Sequence, residues 1–481
     1  MIKFNKDELR DKIYACWIGK NIGGTIGAKY ECQHEMNDCQ GFYTKPGEPL
    51  PNDDLDLQLV WLKAILENGI QNINARLLGE YWLEYVTPCW NEYGICKASM
   101  KRGLTSSIAG QYKNHWKHSN GAWIRTEIWA CLCPGDVDRA SRLSYEDACV
   151  DHGVGEGTHA AIFVASMQAA AFVVNDIRKV IEIGLSKIPE KSRMYKFITK
   201  VIECYDNKVD WVEARNIITQ MSLEDEELGW FQSPANVGYM VIGLLYGEGD
   251  FKKSMLMACN CGDDADCTSA SLGALLGIMH GTKIIPDDWR EHIGDSIVTI
   301  SIDMGDIDPK ERDRYMNSCV ALTNTIMEVL PSAVLGTNTL ISETEESDFS
   351  EVSVEDYYGN DFAMYLNSRS EYFSEHESIL AKCILEYGKE PEIKAGETVT
   401  LDVSLASKFP AQKIFNIEWI VPEGWEVKGS KNVYALRPGK FSKEQYTITA
   451  GENISDKNRL IMVVSCEGHF DTLMIPVIFM G

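Results

Sequence analysis

Three aspartates, Asp263, Asp264 and Asp266, lie between Gly262 and a run of small and apolar residues. The run predicts a buried helix, so the aspartates occupy its N-terminus, where free backbone N–H groups and the helix dipole stabilise negative charge. A helix cap needs only one acid. Because like charges at this spacing repel and oxygen ligands favour hard ions, the cluster predicts a site for Mg²⁺, Ca²⁺ or Mn²⁺. The alternative is a capped core helix whose extra acids are solvated.

A second polar cluster, Asn52, Asp53 and Asp54, precedes a helical pattern over residues 57–66. The two clusters are far apart in the sequence, yet both lie at the start of a helix. If they converge in the fold, a shared cation becomes the better explanation for so many acids.

The helices that must position these clusters carry small residues at helical spacing. Gly19, Gly23 and Gly27 recur every four residues in a helix predicted over residues 7–28, and Ala270, Gly273, Ala274 and Gly277 follow Asp266 in the same way. Side chains three and four residues apart share one face of a helix. Two such nearly bare faces predict that the helices pack against each other at close range.

The rest of the chain divides into a helical part and a strand-rich part. Helical periodicity extends to about residue 329, with loops predicted at residues 30–51 and 88–122 and no strand before residue 375. Six strand patterns follow, at residues 379–386, 398–403, 415–420, 445–449, 460–465 and 472–479, separated by turn residues. We therefore predict an all-α domain followed by a small all-β sandwich, with domains at residues 1–335 and 375–481 and a connector at 336–374.

Composition narrows the class of protein. A chain of 481 residues predicts two domains, and a net charge of −25 argues against nucleic acid or an anionic membrane as a partner. The apolar runs are too short to span a bilayer. Fifteen scattered cysteines and an N-terminus without a signal-peptide pattern predict a reduced, cytoplasmic protein.

Several motifs now combine into a known order. The chain resembles the ADP-ribosylglycohydrolase family over roughly residues 10–330, and the resemblance implies a compact all-α enzyme that holds two Mg²⁺ ions, with Mn²⁺ as an alternative. The matching segments are the glycine helix ending at Glu31, Asn52-Asp53-Asp54, Ser119-Asn-Gly-Ala-Trp-Ile-Arg125, His152-Gly153 and Gly262-Asp-Asp-Ala-Asp-Cys267.

The resemblance also implies roles for individual residues. The implied metal ligands are Asn52, Asp53, Asp54, Asp264, Asp266 and Cys267. The implied substrate-binding residues are Ser119, Asn120, Gly121, Trp123, Arg125, His152 and Gly153. Glu31, which starts a loop, is our candidate acid or base, with Asp54 and Asp264 as alternatives. Trp123 is available to stack on a base, and core packing is the equally weighted alternative.

Two positions depart from the family pattern, because Asn52 and Cys267 replace threonines. An amide oxygen still suits a hard cation, whereas a thiol is a poor Mg²⁺ ligand. One ion is therefore expected to bind weakly, to be shifted toward Mn²⁺, or to be completed by Thr268 or water. Asp263 replaces a glycine and adds a charge behind the ligands.

The implied reaction is hydrolysis at the anomeric ribose carbon of an ADP-ribosyl conjugate, either a small molecule or a modified protein. A metal-dependent glycosidase or nucleoside-type hydrolase for another sugar is an alternative, since Val421-Pro-Glu-Gly-Trp425 is similar to turns in accessory sandwiches of carbohydrate-active enzymes. The remaining alternative is a catalytically silent ligand-binding protein. Association into a homo-oligomer stays open.

Overall fold

A computed structural model describes residues 1–435 and 437–481 of the chain. It contains a helical region followed by antiparallel β-sheets, which confirms the predicted fold class. The helices are α1 (Lys6–Gly27), α2 (Asp53–Asn68), α3 (Ala75–Tyr85), α4 (Asn91–Lys101), α5 (Ser106–Gln111), α6 (Glu127–Leu132), α7 (Val137–His152), α8 (Glu156–Ala171), α9 (Ile177–Ser186), α10 (Arg193–Asp206), α11 (Trp211–Leu223), α12 (Ser233–Tyr246), α13 (Phe251–Asn260), α14 (Ala265–His280), α15 (Asp287–Ile293), α16 (Pro309–Glu311), α17 (Cys319–Ala333) and α18 (Asp361–Asn367).

The strands form three sheets. They are β1 (Ile2–Asn5), β2 (Thr339–Ser342), β3 (Phe373–Glu377), β4 (Ala381–Glu386), β5 (Thr398–Ser407), β6 (Lys413–Ile420), β7 (Glu426–Lys428), β8 (Asn432–Ala435), β9 (Ser442–Thr449), β10 (Lys457–Ser465) and β11 (Thr472–Met480). β1 and β2 form a two-stranded sheet. Of the two antiparallel sheets, one has the order β11-β10-β6-β8 and the other has the order β3-β4-β5-β9-β7. All six predicted strands are present.

The chain divides into two compact units. The first comprises residues 1–94 and 115–367, and the second comprises residues 95–114 and 368–481. Within the second unit, hydrogen bonds join residues 95–114 to residues 368–481. Ser107 Oγ donates to the Phe373 carbonyl at 2.8 Å, and Gln111 Nε2 donates to Glu371 at 3.0 Å. Among the described residues, no helix combines the length and the apolar character that a membrane span requires.

The close packing of the two glycine-rich helices is confirmed. A methyl group on Gly19 would overlap the Gly273 carbonyl, and one on Gly23 would overlap the backbone at Ser269. α14 is buried from Ala265 to Met279. The side chains on the face that contacts α1 are so small that the two helix backbones lie close together. The contact fixes the N-terminus of α14, and with it Asp264 and Asp266, against the end of α1.

Two sequence predictions are wrong. Residues 88–122, predicted as a loop, contain α4 and α5; the buried residues Tyr93, Cys96 and Met100 of α4 have helical spacing, which the surrounding glycine, serine and lysine residues obscure. The prediction of no strand before residue 375 also fails, because β1 pairs in parallel with β2. Strands of four residues are too short to show a clear alternation of apolar and polar side chains.

Candidate metal centre and active site

The turn before α14 is anchored by Asp263. This residue has a φ of 62°, follows Gly262 with a φ of 83°, and is fully buried. Its carboxylate accepts hydrogen bonds from the Phe231 backbone N–H at 2.9 Å and from Asn236 Nδ2 at 2.8 Å, and it lies 3.0 Å from His34 Nδ1. Asp263 therefore holds the turn from behind and leaves the two following aspartates to face the site.

Glu31, Asp264 and Asp266 form one group of potential ligands, with one oxygen of each lying within 4.8 Å of the others. Asp264 is 5% exposed and accepts a hydrogen bond from Asn120 Nδ2 at 2.6 Å. Asp266 is 6% exposed, and its Oδ1 has no hydrogen-bond partner among the residues that the structure describes. Buried polar atoms are normally paired, so this oxygen lacks a partner that an ion would provide.

Asp54, Asp266 and Cys267 form a second group with the same spacing, so Asp266 belongs to both. The Cys267 thiol donates to Asp54 Oδ1 at 3.2 Å, and Lys20 Nζ lies 3.9 Å from Asp54 Oδ2 and 3.0 Å from Glu127 Oε1. Burial raises the pKa of the Cys267 thiol well above its usual range, so the thiol keeps its proton. This second group offers fewer free, charged oxygens than the first.

The start of α2 brings the other predicted ligands to the same place. Asn52 caps the helix, with its Oδ1 accepting a hydrogen bond from the Asp54 N–H at 2.8 Å. Asp53 is half-buried and accepts a hydrogen bond from the Tyr93 hydroxyl at 3.4 Å. The two acidic helix starts therefore lie close together in the structure.

Mutual repulsion and burial raise the pKa values of the carboxylic acids in the site. The charge of Asp266, followed by burial, raises the pKa of Glu31 to about 7. Burial, followed by the charge of Asp266, raises the pKa of Asp53 to about 6. Burial also raises the pKa values of Asp54 and Asp264 well above their usual range. Burial and repulsion disfavour the charged form of these groups, and a cation that enters the cluster stabilises that form.

A cavity of about 420 Å³ opens onto these acids. Eight of its lining residues were predicted from the sequence: Glu31, Asp53, Ser119, Asn120, Gly121, Asp264, Asp266 and Cys267. Eight others were not: Cys32, Trp90, Asn91, Glu92, Tyr93, Trp116, Ile124 and Phe231. Four of the missed residues are residues 90–93, at the start of the segment that was predicted as a loop. The helical spacing of the apolar residues in α4 is the sequence signal that could have identified them.

The other predicted substrate-binding residues lie behind the cavity wall. Trp123 is fully buried, and its Nε1 donates to Asn120 Oδ1 at 3.0 Å, so the core-packing alternative describes its position. Arg125 is also fully buried and pairs with Asp147 at 2.9 Å and with Asp151 at 2.7 Å. Both residues support the Ser119–Gly121 turn from inside the protein.

His152 and Gly153 end α7. His152 is fully buried, with Nδ1 2.9 Å from Asp151 Oδ1 and Nε2 3.2 Å from Ser119 Oγ. Gly153 follows as the C-cap, with a φ of 55°. The histidine thus contacts a cavity residue without lining the cavity itself.

One protein family and two solved structures are similar to parts of this chain. A profile of the ADP-ribosylglycohydrolase family matches residues 5–316. A solved structure described as an ADP-ribosylglycohydrolase-related protein complex is 18% identical, with 67% of this chain and 99% of that chain covered and a TM-score of 0.43. A FixG-related protein from Vibrio parahaemolyticus is 11% identical, with 21% of this chain and 93% of that chain covered and a TM-score of 0.18. No curated protein sequence matches the chain.

Proposed function

This chain belongs to the ADP-ribosylglycohydrolase family and is a glycohydrolase, and we propose that it uses a divalent cation to hydrolyse the bond at the anomeric carbon of a ribosyl conjugate. The observation that supports a bound cation concerns Asp266. Its buried Oδ1 has no hydrogen-bond partner among the described residues, and Asp266 belongs to both ligand groups. Oxygen donors of this kind suit Mg²⁺ or Mn²⁺.

The residues present fit one ion better than two. Asp264 and Asp266, with Asp53 beside them, would hold the first ion. Asp54 and Asn52 would hold a second, in competition with the Cys267 proton and the Lys20 ammonium. When bound, the metal would supply charge that orients the ribose hydroxyls and the attacking water.

Glu31 is the proposed acid or base of the reaction. It is the exposed carboxylate of its ligand group and lines the cavity, so it reaches solvent and substrate together. Water forms the new bond to the anomeric carbon as the bond to the leaving group breaks, and positive charge develops on the sugar. Glu31 would take the proton of the water or protonate the leaving group. Asn120, held by Trp123 and bonded to Asp264, would keep that aspartate in place.

The substrate class has two candidates. Family membership supports an ADP-ribosyl conjugate. A phosphate-free glycoside is favoured by the cavity lining, in which the charged side chains are all carboxylates: Glu31, Asp53, Glu92, Asp264 and Asp266.

Turnover tests the proposal directly. Metal-stripped protein should be inactive on ADP-ribosyl and simple ribosyl conjugates and should regain activity with Mg²⁺ or Mn²⁺. Glu31→Gln should lower kcat by roughly 100-fold or more while the metal-induced rise in Tm persists. Glu35→Gln, an exposed acid of the same loop, is the matched control and should keep full activity. Wild-type turnover by Glu31→Gln would remove Glu31 from the mechanism, and full activity without metal would remove the cation.

A further inference from the structure

Two buried thiols meet beneath the loop of residues 31–52, which begins at Glu31 and is called the Glu31 loop below. Cys39 lies in that loop and is 1% exposed, and Cys259 lies in the last turn of α13 and is fully buried. Both cysteines are free, and their thiols are hydrogen-bonded to each other. The two sulfur atoms are therefore neighbours that no covalent bond joins.

Hydrogen bonds hold the backbone on both sides of this pair. The Asn37 N–H donates to the Asn260 carbonyl at 3.1 Å, and Asn37 Nδ2 donates to the Cys259 carbonyl at 3.1 Å. The Cys39 N–H donates to Asn260 Oδ1 at 2.6 Å. A disulfide needs two backbone segments close together and side chains that point toward each other. The hydrogen bonds meet the first requirement and the thiol contact meets the second, so the bond can form with little backbone movement.

Cys39 is the more reactive thiol of the two. The hydrogen bond from the Cys259 thiol lowers the pKa of Cys39 to about 7, and the same hydrogen bond, together with burial, raises the pKa of Cys259 well above its usual range. The thiolate is the form that attacks an oxidant. Because Cys39 is buried between two exposed residues, Asp38 and Gln40, a local opening of the loop admits a small oxidant.

We propose that Cys39 and Cys259 are a peroxide-sensitive pair that closes into a disulfide and fixes the Glu31 loop to the end of α13. The Cys39 thiolate attacks one oxygen of a hydroperoxide, the O–O bond breaks, and the leaving oxygen takes up the proton that Cys39 lost. The Cys259 sulfur then attacks the sulfenic acid on Cys39, the S–O bond breaks, and water leaves with the Cys259 proton. The two thiols lose two electrons, and the peroxide is reduced by two electrons.

The disulfide would act on the acidic site from outside the cavity. Neither cysteine lines the cavity, so the crosslink leaves the space for a substrate unchanged. It joins the loop that presents Glu31 to the segment that leads into Asp264 and Asp266. A bond between residues so distant in the sequence also restricts the unfolded chain, which stabilises the folded protein. The inference stands independently of the proposed function.

The first test identifies the bond by mass spectrometry. The full-length reduced protein is treated with hydrogen peroxide, its remaining thiols are alkylated, and it is digested with trypsin. We expect a linked pair of peptides that dithiothreitol separates. Fragmentation of the pair must locate the bond, because the peptide with Cys39 also contains Cys32 and the peptide with Cys259 also contains Cys261 and Cys267.

The second test measures the effect of the bond on stability. Peroxide-treated wild type should have a Tm at least about 5 °C above that of the reduced protein. Cys39→Ser should show neither the linked peptides nor the rise in Tm. Cys261→Ser removes another buried thiol near Cys259, so it is the matched control and should keep both.

Three outcomes would overturn the inference. In wild type, Cys39 and Cys259 could both stay open to alkylation after denaturation, although the exposed Cys32 has been oxidised. Cys39 could instead end as a sulfinic acid, or the disulfide could form without a rise in Tm. Each of these results comes from wild type alone, which covers the case of a Cys39→Ser protein that does not fold.

Discussion

Cys267 donates its thiol proton to Asp54 across 3.2 Å, so a protein group occupies an oxygen that a cation would otherwise bind. Replacing the thiol with a hydroxyl supplies a hard oxygen ligand, which suits Mg²⁺ better than sulfur does. We expect Cys267→Thr to bind Mg²⁺ roughly tenfold more tightly than wild type, an effect of the size seen for groups that orient metal ligands. Calorimetric titration with Mg²⁺ and Mn²⁺ measures this. Cys267→Val is the control, and an equal gain in that variant would show that loss of the thiol alone is responsible.

Asp266→Asn should separate stability from metal binding. The substitution removes one charge from a buried cluster of like charges, so the metal-free variant should be more stable than metal-free wild type by about 1 kcal/mol. Its Tm should then fail to rise when Mg²⁺ is added. Asp306→Asn, at an exposed position, should change neither quantity. A metal-free Asp266→Asn protein less stable than wild type would show that the acids do not repel each other in the folded state.

Gly23→Ala should weaken the packing of α1 on α14. The new methyl group would overlap backbone atoms of Ser269 and Ala270, which cannot move independently of the helix. Overpacking of this kind costs roughly 1–3 kcal/mol or more, so denaturant unfolding should show a lower free energy of unfolding. At Gly359 the nearest atom to an added methyl group is the flexible Lys187 Nζ at 3.7 Å. Gly359→Ala should therefore stay within about 0.5 kcal/mol of wild type, and equal losses in both variants would refute the close contact.

His118 should make stability depend on pH. Its Nδ1 accepts a hydrogen bond from the Glu156 N–H at 3.0 Å, and burial lowers the pKa of His118 to about 4. The unfolded chain, with a histidine pKa near 6.5, therefore binds a proton first as the pH falls. The contribution of His118 to stability should be fully present above about pH 6.5 and should fall by roughly 3 kcal/mol toward pH 4.

Unfolding of His118→Gln at several pH values checks this, because the variant should lose most of that slope. His115→Gln, exposed three residues earlier, should keep it. The neighbouring Glu156, whose pKa is lowered to about 2 mainly through His159 and backbone hydrogen bonds acting against burial, affects stability only below about pH 4.5. Identical slopes for wild type and His118→Gln between pH 4.5 and 6.5 would contradict the assignment.

The sequence predicts those parts of the site whose signals are local. An aspartate before a helix and glycines every four residues identify Asp54, Asp264 and the α1–α14 contact, because each depends on spacing within one segment. Trp116 reaches the cavity only through the tertiary fold, and nothing in its own neighbourhood marks it. Trp123 and Arg125 show the reverse: they follow a motif typical of binding residues, yet the fold directs both side chains into the core.

The pairing of β1 with β2 has a consequence for how the protein is made. Ile2–Asn5 pairs with Thr339–Ser342, so β1 cannot pair in this way until residues 339–342 have been translated. Until then its unpaired edge is open to chaperones and to proteases. An N-terminal fusion that holds residues 2–5 away from β2 would therefore delay completion of this unit during synthesis, even though every helix that carries the metal ligands has already emerged.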